Sequence, residues 1–206
     1  MSPPIKGGNS VAVPAQAAAG RTREQFGLSE AATIYLCCQS LFKYLPEDDW
    51  IFAKIAEEVP SAQLVFIRNK SSVITRRFVD RLQRTFDACG LDVSQRCVFM
   101  QHLSADDYLE LNGLADIYLD SLHWSGGNTT LEALSCGLPI VTWPGPFMRS
   151  RHTYAILQQL GVCETIADTP EAFVEVAVRL GADAGWRTEI VAQMRANSDR
   201  VFDNRE

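Results

Sequence analysis

Residues 125–139 read Ser-Gly-Gly-Asn-Thr-Thr-Leu-Glu-Ala-Leu-Ser-Cys-Gly-Leu-Pro, and this stretch decides the fold. An apolar run, Asp116–Leu119, precedes it, and a second, Pro139–Thr142, follows it. Between them, Thr129–Cys136 has helical composition and stops at Gly137, the residue type that most easily closes a helix in a left-handed turn. Strand, glycine turn, helix and strand in that order make a βαβ unit, whose two strands are parallel.

The same alternation extends in both directions. Strands are expected at Thr33–Cys38, Gln63–Ile67, Cys97–Met100, Asp116–Leu119, Pro139–Thr142 and Glu164–Ile166, as short and nearly continuous apolar runs. Runs of that kind suit strands covered on both faces. Helices are expected at Asp48–Glu58, Ser72–Cys89, Ala105–Gly113, Thr129–Cys136, Arg149–Leu160, from Thr169-Pro170-Glu171 onward, and at about Trp186–Ser198. Their boundaries carry Ser104, Thr169 and Pro170 at the starts, and Gly90 and Gly161 at the stops, the residues that favour those positions. The expected fold class is therefore α/β: a Rossmann-like parallel sheet of about six strands with helices on both faces. Residues 1–26, rich in Gly, Ala, Pro and Ser, are expected to form a flexible leader, and 27–206 the domain.

Composition narrows the function. The chain has 206 residues, 21% of them charged, and a formal net charge of -6. An acidic chain argues against a nucleic-acid partner, which needs clustered Lys and Arg to neutralise phosphates. Arg76, Arg77, Arg81 and Arg84 form the one basic group, and are read as a solvated helix face. No run is long and apolar enough for a membrane span, and the N-terminus lacks a signal-peptide pattern, so the chain reads as cytoplasmic. The six cysteines form no CxxC pair and are read as buried thiols. Neither GxxxxGK[ST], GxGxxG after the first strand, nor GxSxG occurs, which argues against a P-loop ATPase, a dinucleotide dehydrogenase and an α/β-hydrolase. No DxD occurs, and no metal is expected.

In a parallel sheet, ligands bind beyond the carboxyl ends of the strands. Gly126 and Gly127 let the backbone approach a ligand closely. Asn128, Thr129 and Thr130 stand at a helix start, where free N–H groups and the helix dipole suit a phosphate. Glu132, one turn on, can accept two hydrogen bonds from a ribose diol. The local pattern by itself fits a capped helix after a glycine turn equally well.

Residues 126–142, GGNTTLEALSCGLPIVT, resemble the nucleotide-binding signature of GT-B glycosyltransferases. Three further blocks, CQSLFKYLP (38–46), LADIYLD (114–120) and WPGPFMRSR (143–151), make the chain similar to the O-linked N-acetylglucosamine transferase and SPINDLY-like family over about residues 27–204. The resemblance implies one half of a GT-B fold, the half that holds the UDP-sugar. It implies transfer of GlcNAc, or of glucose, from UDP-GlcNAc or UDP-glucose to a protein or peptide acceptor. No cofactor is implied, and the other GT-B domain is expected outside this chain.

By position, Lys43 matches the family lysine on the phosphates and is the expected catalytic group; Gln39 resembles a nearby glutamine. Gly126, Gly127, Asn128, Thr129 and Thr130 match the diphosphate loop, Glu132 the acidic ribose ligand, and Arg151 an arginine near the sugar–phosphate end. His102, Leu103 and Tyr108 fall in the region that holds the uracil. Ala105, Tyr108 and Leu111 stand where animal members carry Lys, His and Arg. His123, Trp124 and His152 flank the sugar end. Two other readings remain: a non-catalytic α/β binding module, and the donor domain of another GT-B transferase.

Overall fold

The computed structural model describes residues 20–202. Five strands form one parallel sheet: β1 (Thr33–Cys37), β2 (Ala62–Ile67), β3 (Cys97–Met100), β4 (Ile117–Leu119) and β5 (Ile140–Val141), in the order β3-β2-β1-β4-β5. The chain leaves β1 toward β2 and β3, then returns to the far side of β1 for β4. The β1–β4 junction is thus the topological switch point, where a crevice opens at the strand ends.

The expected sixth strand is reduced to a single parallel bridge between Thr142 and Ile166. β5 is only two residues long, and Pro144 follows almost at once. Proline has no N–H to carry the ladder further.

The nine helices among the described residues are α1 (Asp49–Glu58), α2 (Ser72–Ala88), α3 (Val93–Arg96), α4 (Ala105–Leu114), α5 (Asn128–Ser135), α6 (His152–Leu160), α7 (Pro170–Ala182), α8 (Ala184–Ala196) and α9 (Asp199–Phe202). Helices α1, α2 and α7 pack together, and α4 packs with α5. Right-handed crossovers place these two groups on opposite faces of the sheet. The short helices α3 and α9 carry too few residues to show a period in sequence. The helix expected over Arg149–Leu160 is split: Met148–Ser150 is a 3-10 turn, and α6 begins at His152. The break falls at Arg151, whose φ of -124° is not helical.

Strand residues are covered on both sides, as their sequence demands. Ile34, Tyr35, Leu36, Cys37, Leu64, Val65, Phe66, Ile117, Tyr118, Ile140 and Val141 have no solvent exposure. On the α1–α2 face, Phe66 is surrounded by Tyr44, Phe52, Phe78 and Phe99 at ring-centroid distances of 5.1–5.9 Å. Most of these pairs are edge-on, the geometry that aromatic quadrupoles favour. α2 feeds the cluster through Phe78, Leu82 and Phe86, spaced four apart on one stripe.

Three expectations take a different shape. Of the leader, residues 1–19 lie outside the described residues. Residues 20–26 are held to the domain: Arg23 bonds the Leu114 and Ala32 carbonyls and pairs with Asp116 at 3.0 Å. Cys37 and Cys97 are buried thiols, whereas Cys89 and Cys163 are exposed. In the arginine group, Arg76, Arg77 and Arg84 are exposed, but Arg81 turns inward to pair with Asp49 and donate to the Tyr44 carbonyl.

Phe66 tests this packing. Phe66→Ala opens a cavity under four rings and should lower unfolding free energy by about 3–5 kcal/mol, measured by denaturant titration against the wild type.

Candidate functional site

The site is built around Asp120, the residue after β4. It is 4% exposed. Its Oδ1 accepts the N–H of Gly126 at 2.8 Å and of Ser121 at 3.0 Å, and its Oδ2 accepts the Thr142 hydroxyl at 2.9 Å. Burial pushes its carboxyl up to about 6, and those hydrogen bonds hold it from going higher. One carboxylate thus ties β4, the loop that follows and the end of β5 to a single point.

Gly126 is clamped on every side. Its N–H goes to Asp120, and its carbonyl accepts the Thr153 hydroxyl at 3.3 Å. A Cβ there would lie 2.6 Å from Thr130 Oγ1 and 2.7 Å from Thr129 Oγ1, closer than atoms pack. Only glycine fits, for reasons of space rather than dihedral angle. Beside it, Ser125 donates its N–H to the Arg149 carbonyl and accepts the His152 N–H on its hydroxyl, both at 2.9 Å. That second bond caps α6 and explains why the helix begins there.

The loop delivers the start of α5 to the switch point with Gly127 at the cap and no side-chain cap. The N–H groups of Gly127, Asn128 and Thr129 have no protein acceptor among the described residues. Three outward N–H groups with a helix dipole behind them form a site for an anion. Thr130, expected beside Thr129 on the ligand, is instead fully buried. Its hydroxyl lies 2.8 Å from that of Thr153. Its part is to hold the loop.

Lys43 reaches the same point from the 3-10 turn Leu41–Lys43 that follows β1. Its ammonium donates to Gln39 Oε1 at 2.7 Å; Gln39 Nε2 donates to Thr129 Oγ1 at 2.6 Å and to the Tyr118 hydroxyl at 3.0 Å. Gln39 is buried, so this relay is a fixed part of the wall. Partial burial lowers the Lys43 pKa, and the Asp120 carboxylate opposes that shift. The segment is stapled beneath. The Tyr44 hydroxyl accepts the Gln39 N–H at 3.1 Å, and the Tyr44 carbonyl accepts Arg81 Nη2 at 2.8 Å. Arg81 is held in turn by the buried Asp49.

Glu132 lies one turn into α5, half-buried, with no side-chain partner among the described residues. Burial raises its pKa; burial likewise raises that of the Cys38 thiol, to which the Glu132 charge adds. Leu103 is half-buried against the core. The Tyr108 hydroxyl faces inward beside Cys38 and Asn112, and burial pushes its pKa far up. Arg151 Nη1 donates to the Gly145 carbonyl at 3.1 Å, and its guanidinium lies over Tyr154. His102 is exposed, with Nδ1 2.9 Å from the Leu103 carbonyl. Trp124 is 49% exposed, with Lys43 Nζ 5.6 Å and the Arg149 guanidinium 5.8 Å from its ring. His123 Nε2 lies 2.9 Å from Asp48 Oδ2, and the His152 side chain points to solvent.

Lys43, Gln39, Thr129 and Gly126 therefore meet at the β1–β4 crevice, with Gly127 and Asn128 at the adjoining start of α5; no side-chain hydrogen bond links Leu103, Tyr108, Glu132 or Arg151 to them among the described residues. Sequence reasoning missed the roles of Asp120, Thr153, Tyr44 and Arg81. Asp120 alone left a signal, a carboxylate at the end of an apolar strand, six residues before Gly126.

The sequence matches glycosyl transferase family 41 over residues 6–206. The chain belongs to that family. It is 33% identical over 189 residues to a Caenorhabditis elegans UDP-N-acetylglucosamine–peptide N-acetylglucosaminyltransferase, covering 88% of this chain and 16% of that protein. The probable SPINDLY transferase of Arabidopsis thaliana is 26% identical over 171 residues, 82% of this chain and 18% of the relative. Among solved structures, a mutant O-GlcNAc transferase from Thermobaculum terrenum superposes with a TM-score of 0.74 at 28% identity, covering 85% of this chain and 33% of that one. The apo structure of OtsA, at 15% identity and a TM-score of 0.63 over 91% of this chain and 45% of that one, shares the fold. This family 41 chain spans about a sixth of the length of these curated relatives.

The buried carboxylate gives the family 41 domain a pH signature. Asp120 has a folded-state pKa raised from 3.8 to about 6. The folded state therefore binds more protons than the unfolded chain between those values, and stability contributed by this group falls as pH rises from about 4 to 6. Asp120→Asn removes the titration. Across that window the wild type should lose roughly 1–3 kcal/mol relative to the variant, read from denaturant unfolding at each pH.

Proposed function

We propose that this domain is the donor half-site of a transferase that moves GlcNAc, or glucose, from a UDP-sugar to a side chain of an acceptor protein. The observation that carries the reading is the convergence of the Lys43–Gln39–Thr129 relay on the open N-terminus of α5. The relatives named for peptide N-acetylglucosaminyl transfer support the choice of donor and acceptor.

The diphosphate lies against the N–H groups of Gly127, Asn128 and Thr129, with the Lys43 ammonium on its other side. As the glycosidic bond to phosphate breaks, negative charge grows on the leaving oxygen. A cation and three fixed N–H donors stabilise that charge without reorganising. No metal is required for this neutralisation, and the reading is metal-independent. Glu132 takes the ribose hydroxyls, and Arg151 stands near the sugar–phosphate end. Gln39 keeps the Lys43 ammonium pointed at the phosphates rather than at solvent.

The acceptor side and the other GT-B domain come from protein outside these residues. Holding donor and acceptor together is a large share of the rate, so both surfaces are needed for turnover. No helix among the described residues is long and apolar enough to cross a membrane. We place the protein in the cytoplasm, in keeping with six unpaired thiols, and expect no nucleic-acid or membrane partner.

Calorimetric titration with UDP, with ADP as control, tests the reading. The wild type should bind UDP selectively. Lys43→Ala and Glu132→Ala should each weaken it by about 1–3 kcal/mol, and Lys43→Ala should cut transfer by about 100-fold in protein that carries both domains. A folded protein whose UDP binding ignores both substitutions would be a scaffold without a donor site.

A further inference from the structure

The loop between β4 and α5 is fixed at both ends. Asp120 accepts the N–H groups of Ser121 and Gly126, and Ser125 is bonded to Arg149 and His152. Its middle, 122–124, has one ion pair or hydrogen bond to another element among the described residues: His123 Nε2 lies 2.9 Å from Asp48 Oδ2. Asp48 ends the 3-10 turn Pro46–Asp48 that leads into α1. The Asp48 side chain is 13% exposed and that of His123 36%, and Nε2 itself is buried. The pair is therefore less screened than one held fully in water.

This contact stands beside the donor groups. Asp48 and Lys43, with Asp120 and Ser121, line one cavity of about 10 Å³, close to the room one water needs. Trp124, the residue after His123, holds its ring 5.6 Å from Lys43 Nζ. The Trp124 carbonyl accepts the Ser121 hydroxyl at 2.6 Å, so the turn moves as a unit. Fixing His123 fixes the ring against Lys43 and the approach to the glycines.

The strength of the contact depends on pH. Histidine is the side chain that changes charge between about pH 5 and 8. Burial raises the Asp48 pKa, and the charge and hydrogen bond of His123 oppose that rise. Glu47 beside it and Arg81 on α2 are the other charges acting on this carboxylate, and Lys43 and Asp120 line the same cavity. From the β5 side, Trp143 packs edge-on against the imidazole with ring centroids 6.3 Å apart. Trp143 carries no titratable group, and its Nε1 donates to the Asp168 carbonyl at 3.0 Å. An imidazolium facing the Asp48 carboxylate is an ion pair. A neutral imidazole keeps only the weaker dipolar contact.

We infer that His123 and Asp48 form a pH-sensitive latch, which pins the loop carrying Trp124 to the start of α1 and holds the donor site in its binding shape while His123 is protonated. As pH rises through the histidine range the ion pair is lost, the loop loosens, and a UDP-sugar is held less tightly. Both are positioning residues, acting on the donor through the loop and Lys43. The inference rests on the donor-site reading, and the experiment separates the two.

Measure the Kd of UDP-GlcNAc and of UDP-glucose by calorimetry at about pH 6 and about pH 8 for the wild type, His123→Gln, Asp48→Asn and the double variant, with thermal melts at each pH to confirm folding. A UDP-sugar is used because its diphosphate is esterified at both ends, whereas the terminal phosphate of UDP takes up a proton in this window. Asp120, Lys43 and Glu132 are present in all four proteins, so their own titrations cancel in the comparison. The ratio of Kd at the higher pH to Kd at the lower should be about threefold larger in the wild type than in each variant, and the three variants should share one ratio. An equal ratio in the wild type and His123→Gln, with binding intact, overturns the latch and leaves the donor site standing. A ratio lost in His123→Gln but kept in Asp48→Asn shows that His123 acts without this partner and also overturns it. Failure of the folded wild type to bind either UDP-sugar overturns both.

Discussion

Everything that makes the crevice usable hangs on one buried carboxylate. Asp120 is desolvated at the end of β4, and an ionised group there persists only if its oxygens are filled with hydrogen bonds. The donors that fill them are the Gly126 and Ser121 N–H groups and the Thr142 hydroxyl. Satisfying the charge and fixing the loop are the same event. Because β4 is only three residues long and β5 two, the sheet itself holds this corner weakly, and the side-chain network replaces missing ladder bonds.

From that point the positions of the binding groups follow. With Gly126 fixed, the hydroxyls of Thr129 and Thr130 close around its α-carbon, and α5 must start at Asn128. Its unpaired N–H groups then face the β1–β4 junction, where the topology leaves a gap between crossovers running in opposite directions. Lys43 arrives independently, through a tight turn whose two ends are held by Tyr44 and Arg81. The buried ring of Tyr44 belongs to the same aromatic cluster as Phe66 and Phe78. The placement of a surface cation is thereby coupled to the packing of the core.

The division of labour among neighbouring residues of one type is instructive. Thr129 and Thr130 are adjacent in sequence, yet a helix turns successive side chains by about 100°. One hydroxyl meets Gln39 at the rim, and the other meets Thr153 in the interior. Arg81 and Arg84 similarly part company on α2, one tied to Asp49 and the other in water. The open N–H groups at the start of α5 and a few side chains line the crevice, and neighbouring polar residues such as Thr130 and Asp120 hold them in place.

The sequence by itself determined the parallel α/β fold, its element order and nearly every strand, because continuous apolar runs separated by amphipathic ones leave few other arrangements. It also placed the glycine loop and a helix start directly after the fourth strand, whereas Lys43 and Glu132 became candidates through the family resemblance. Tertiary structure alone decided what depends on residues distant in the chain. The sixth strand shrank to a bridge because its neighbour β5 ended too soon. Thr130 turned inward because Thr153, 23 residues away, received it. Gln39 came to link Lys43 to Thr129, 90 residues further along the chain, because the strand order put β1 next to β4. Local periodicity reports which face of an element is apolar; only the packed whole reports which polar group that face will meet.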